Sequence, residues 1–109
     1  MKRCGYVVQL RPEAVAEYKR IHKAVSPNIL TMIFECSIRN YTIFLREPEG
    51  LLFATFDYIG SDLQADLAKM AVDQATQRWW QITDPMQRPL DSCEKGELWA
   101  EMKEIFHTD

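Results

Sequence analysis

An α+β domain, one antiparallel sheet with helices packed on one face, is what the 109-residue sequence predicts. Three observations predict it. Segments with apolar alternation every second residue lie near the start and in the middle of the chain, and segments with helical spacing lie between and after them. The two central strand-like segments flank a turn-forming stretch, which pairs them as a hairpin. Composition agrees, since 47% hydrophobic and 27% charged residues describe an ordinary globular chain, and its length describes a single domain, 1–109.

Cys4 to Leu10 reads as the first strand, with Tyr6, Val8 and Leu10 on one face and Val7 and Gln9 on the other. Pro12 suits the first turn of a helix, where its missing N–H is harmless, and Glu13 complements the dipole there. That helix is expected to run to about Val25, with Ala14, Tyr18, Ile21 and Val25 at helical spacing. Ser26-Pro27 starts a second helix, an N-cap followed by proline, and Ile29, Leu30, Ile33 and Phe34 supply its apolar face. Arg39–Leu45 and Leu51–Tyr58 are the hairpin strands, joined through Arg46-Glu47-Pro48-Glu49-Gly50. Ser61 with Gln64 resembles a capping box opening a helix through Leu63, Leu67 and Met70. Asp73 caps another helix, which carries Arg78, Trp79, Trp80 and Gln81. Residues 83–96 read as a loop. The segment from Leu98 to Phe106 fits a helix or a strand, and the strand reading completes the βαββαβ ferredoxin-like plan.

Both faces of the hairpin are apolar. Tyr41, Ile43 and Leu45 oppose Phe44, and Leu51 and Phe53 oppose Leu52, Ala54 and Phe56. Helices cover only one face, so the second must be buried or line a pocket. A homodimer, sheet against sheet, with a partly enclosed cavity is expected.

Several function classes are excluded by charge and motif. A net charge of −3, from 13 basic and 16 acidic residues, does not suit a nucleic-acid binder. The local group Lys19, Arg20 and Lys23 reads as the solvated face of a helix. The three cysteines, Cys4, Cys36 and Cys93, show no CxxC or zinc-ligand spacing and read as core or surface fillers. With two histidines, His22 and His107, no histidine-based metal site is expected. No signal-peptide-like run follows Met1-Lys2-Arg3, and no segment approaches the ~18 apolar residues of a membrane span. A reduced cytoplasmic protein, without membrane or nucleic-acid partner, is the expectation. GxGxxG, Walker, HExxH and GxSxG motifs are all missing.

Two features carry chemistry. Tyr18 and His22 stand four apart on a predicted helix, so both project from its apolar face. That spacing fits a packed tyrosine with a hydrogen-bonded histidine at the margin. It equally fits a phenol and an imidazole presented to a pocket, with the imidazole suited to proton transfer. Trp79 and Trp80 point about 100° apart on a helix, so one is expected to pack inward and the other to sit at an edge. An edge indole suits a sugar, covering its C–H face while the N–H meets a hydroxyl. A core residue plus a dimer-interface residue fits the same spacing.

Taken together, these residues resemble the L-rhamnose mutarotase family. The resemblance runs from the first strand to about Phe106. It rests on Glu17-Tyr18 with His22, Pro27, Asn40-Tyr41-Thr42-Ile43, Leu51-Leu52-Phe53-Ala54, Gln77-Arg78-Trp79-Trp80, Thr83-Asp84 and Glu104-Ile105-Phe106, in order and at matching spacing. It implies a dimeric ferredoxin-like fold of the α/β-barrel assembly type, no metal or organic cofactor, and interconversion of the α and β anomers of L-rhamnose. It further implies that His22 is the proton donor and that Tyr18, Tyr41, Trp79 and Trp80 bind the monosaccharide. The stretch Lys23–Ser26 and the two-proline loop Pro85–Pro89 depart from the family pattern, at the pocket rim. The second proton carrier stays open between a water, Tyr18 and a carboxylate. Two other functions share the expected fold: a cofactor-free monooxygenase acting on an aromatic substrate, and a non-catalytic sugar-binding module.

Overall fold

The computed structural model describes all residues from Met1 to Asp109. In chain order the elements are β1 (Lys2–Leu10), α1 (Val15–Ile21), α2 (Pro27–Glu35), β2 (Ile38–Arg46), β3 (Leu51–Tyr58), α3 (Leu63–Ala71), α4 (Gln74–Thr83), β4 (Gln87–Arg88) and β5 (Ala100–Met102). The sheet runs β2-β3-β1-β4, and β5 also pairs with β1. All pairings are antiparallel. The expected α+β plan and the strand reading of the final segment are what the chain adopts. No helix is long and apolar enough to cross a membrane.

The even-numbered residues of β1 and β3 face the helices. Val8, Leu10 and Leu52 on that side are at most 1% exposed. They pack with Ala14 and Tyr18 into one cluster, while Cys4, Ile38, Phe56 and Tyr58 pack with Cys36 and Met70 into another. All four helices therefore cover one sheet face. The other face bears Val7, Leu51, Phe53 and Phe44, and Phe44 is 60% exposed. The two apolar faces of the hairpin are thus partitioned as the sequence predicts.

Several expectations are corrected in detail. The helix expected over Pro12–Val25 is interrupted, with 3-10 turns at Pro12–Ala14 and His22–Ala24 enclosing α1. Its end is set by Ser26-Pro27, because a residue before proline is pushed to extended geometry, and Ser26 has φ −55° and ψ 138°. Ser26 then caps α2 by accepting from Asn28 N–H. On α2 only Ile29 is buried, while Leu30 and Phe34 lie open to solvent. The cap of α3 is Asp62, not Ser61: its carboxylate accepts from Ala65 N–H. Tyr58 sets that choice, since its hydroxyl accepts from Asp62 N–H and donates to Asp66.

Residues 83–96 are not wholly loop. Gln87 and Arg88 pair with Leu10 and Gln9, and Ala100–Met102 pair with Val7–Gly5 on the same edge of β1. The fourth strand is therefore split, and residues 89–99 leave the sheet and return to it.

Candidate active site

The site is assembled by three local devices. The first is the end of α1. Tyr18 points from its inner face and is 5% exposed. His22 follows at the next turn, and its Nδ1 lies 2.7 Å from the Tyr18 carbonyl oxygen. A carbonyl only accepts, so Nδ1 carries the hydrogen and Nε2 is left for exchange with a ligand. The imidazole stacks on the Tyr18 ring, centroids 4.2 Å apart, and meets the Trp79 ring edge-on at 5.1 Å. The orientation of His22 is thus held on three sides.

The second device is a bulge in β2. Arg39 pairs with Asp57 and Thr42 with Thr55, so Asn40 and Tyr41 together oppose Phe56. Asn40 takes the left-handed conformation, φ 54°, which asparagine tolerates better than most residues. Its amide donates to the Asp57 carboxylate at 2.9 Å, and Thr42 Oγ1 donates to its carbonyl. One extra residue reverses which side chains face which way. The bulge is what turns Tyr41 inward, where its ring stacks on Phe56 at 5.8 Å.

The third device is α4, capped by Asp73, which accepts from both the N–H and the hydroxyl of Thr76. Both indoles are half-buried, in place of one sunk and one at an edge. Trp80 packs against the Met70 core cluster, and Trp79 lies against His22.

Tyr18, His22, Tyr41, Trp79 and Trp80 all line one cavity of about 350 Å³ on the helix side of the sheet. That volume is at the small end of the ~300–1,000 Å³ typical of small-molecule sites. His22, Tyr41 and both tryptophans also border a second apolar lobe of about 370 Å³ that reaches beneath α2. The open sheet face, where the unburied apolar residues are, contributes none of the five.

Residues that sequence reasoning gave no role complete the walls. Gln87 Nε2 donates to the Tyr18 hydroxyl at 3.2 Å, and its Oε1 is buried with no partner. Accepting from Gln87 leaves the Tyr18 proton free to be donated. Burial pushes the Tyr18 phenol up to about 12; the Gln87 hydrogen bond opposes the rise, and Tyr41 and Asp84 add to it. Tyr18 is therefore a neutral donor at working pH and a poor proton carrier. Asp84, Leu98 and Trp99 also line the cavity. Only Thr83-Asp84 left a trace in the sequence, as part of an ordered match. Gln87, Leu98 and Trp99 reach the site through long-range pairing that no local pattern marks. No group of three or more His, Cys, Asp or Glu gathers where it would hold a metal.

A sequence profile described as L-rhamnose mutarotase matches residues 3–108. The chain is 31% identical over 108 residues to the L-rhamnose mutarotase of Klebsiella pneumoniae, covering 98% of each chain. It is 27% identical to that of Oceanobacillus iheyensis, over the whole of both. Its fold is similar to the crystal structure of L-rhamnose mutarotase FA22100 from Formosa agariphila, with a TM-score of 0.79 at 17% identity over the full length of both chains.

Proposed function

The chain belongs to the L-rhamnose mutarotase family, and on that premise we propose how its cavity interconverts the α and β anomers of L-rhamnopyranose. The enzyme is an isomerase of the anomerase type. The observation that carries the proposed roles is the hydrogen bond from His22 Nδ1–H to the Tyr18 carbonyl, which frees Nε2 beside the tyrosine and indole walls.

With both imidazole nitrogens protonated, His22 gives the Nε2 proton to the ring oxygen while the anomeric hydroxyl loses its own. The imidazole is left neutral with its hydrogen on Nδ1. The C1–O5 bond breaks and C1 becomes a carbonyl. Rotation about C1–C2 then presents the other carbonyl face, and ring closure returns the proton to His22. Every step moves only protons and one C–O bond, so the scheme calls on no cofactor. Tyr18 and Tyr41 orient hydroxyls. Trp79 and Trp80 cover the apolar C–H face, and the hydrocarbon lining accommodates the C6 methyl.

Two further proposals rest on the open sheet face and on the cysteines. Phe44, Phe53 and Leu51 suit packing against a second copy, giving a ferredoxin-like homodimer of the α/β-barrel type. Three free cysteines, with Cys4 and Cys36 buried, suit a reducing cytoplasm.

The test is NMR magnetisation exchange between the anomeric protons of L-rhamnose. Wild type is expected to accelerate exchange at micromolar protein. His22→Gln is expected to lose ~10²–10⁴-fold in rate. An unchanged rate in that variant removes His22 from the chemistry.

A further inference from the structure

Anomer exchange needs two proton carriers, and the cavity offers one carboxylate. Of the side chains lining it, Asp84 alone is acidic. The other polar members are tyrosines, indoles, a threonine and the Gln87 amide, none of them suited to accept a proton from a hydroxyl near neutrality. Burial raises the phenols of Tyr6 and Tyr18, which keeps them neutral.

Asp84 is held in place by backbone, so its carboxylate is left free. Its N–H donates to the Trp80 carbonyl at the end of α4. The turn that follows is tied to the end of β1: Arg11 N–H donates to the Met86 carbonyl at 2.9 Å, and Arg11 Nε to the Pro85 carbonyl at 3.0 Å. Arg11 is thus directed to the backbone, and Asp84 takes part in none of the chain's ion pairs. An unpaired carboxylate at the mouth of an apolar cavity, one helical turn beyond Trp80, has no structural task.

We infer that Asp84 is the second proton carrier, taking the proton of the anomeric hydroxyl as His22 protonates the ring oxygen. The inference rests on the mutarotase reading and on the role given to His22. Protons balance: the O1–H bond breaks to Asp84, C1=O1 forms, C1–O5 breaks, and O5 gains the His22 proton. On closure O5 returns its proton to Nε2, and the new anomeric oxygen takes the proton back from Asp84. Burial pushes the Asp84 carboxyl above the usual carboxylate range, which makes it a stronger base than an ordinary surface aspartate.

The experiment compares wild type, His22→Gln, Asp84→Asn and Asp84→Ala by anomeric exchange of L-rhamnose. The Asp84 side chain is exposed and makes no hydrogen bond within the chain, so the asparagine variant keeps its fold. We expect its maximal rate to fall about 10²-fold while KM stays within about threefold. Added formate is expected to restore part of the rate to Asp84→Ala, beyond its effect on free sugar, and none to His22→Gln. A wild-type rate in Asp84→Asn overturns the inference about Asp84 while leaving His22 in place. A rate loss that formate does not relieve, accompanied by a matching rise in KM, assigns Asp84 to binding and overturns it as well. Failure of wild type itself to accelerate exchange removes the mutarotase reading beneath both.

Discussion

Tyr18 makes a measurable demand at alkaline pH. In the unfolded chain its phenol ionises near 10, whereas in the fold it holds its proton to about 12. Between those values the folded state binds more protons than the unfolded one, so stability falls as pH rises through the interval. The loss attributable to Tyr18 is about 2–3 kcal/mol by pH 12, and none of it appears below about pH 9. Urea unfolding across pH 9 to 12 is expected to show this slope in wild type and a shallower one in Tyr18→Phe. The same variant is expected to be less stable at neutral pH by about 1–3 kcal/mol, because the buried Gln87 amide is left with no partner for either of its atoms. Tyr18 and His22 were legible together because a four-residue interval on a helix is a geometric statement. Gln87 was not, since its meeting with Tyr18 is set by the antiparallel return of the chain along β1, and Asp84 showed only as part of an ordered match.

The bulge in β2 acts on one side chain through the backbone of another. Asn40→Val places a β-branched residue at φ 54° and removes the tie to Asp57. It is expected to cost about 1–3 kcal/mol in unfolding experiments and to weaken rhamnose binding, measured calorimetrically, by turning Tyr41 out of register. Asn40→Gly keeps the conformation and is expected to do less of both. On α4, Asp73→Ala removes both bonds to Thr76 and is expected to cost about 1 kcal/mol, with a larger effect on KM than on maximal rate as the indoles loosen. Strands, hairpin and caps at Ser26 and Asp73 could be read from alternation and residue type. The bulge could not, because alternation alone does not register an added residue. The cap of α3 was misplaced by one position because Tyr58, distant in kind from any capping pattern, decides it.

At the scale of the molecule, the exposed apolar sheet face is tested by mass. Phe44→Glu, at a residue 60% exposed in the single chain, is expected to convert a dimer to a monomer in analytical sedimentation. A dimer that survives the charge places the interface elsewhere. The antiparallel sheet and the one-sided helices followed from the sequence of elements, yet the place of the cavity did not. The apolar surplus that drew attention to a pocket lies on the face away from it. Residues 89–99 depart from the sheet after Arg88 and rejoin it at Ala100, with pairing to β1 on both sides of the departure. They bring Leu98 and Trp99 to the cavity wall. Chain length in this excursion is uncoupled from strand register, and lengthening it by a residue or two costs only a few tenths of a kcal/mol in closure entropy. An engineer seeking another deoxyhexose can therefore rewrite this one stretch as an exchangeable panel, leaving His22, Asp84 and the helix ends that bear them untouched.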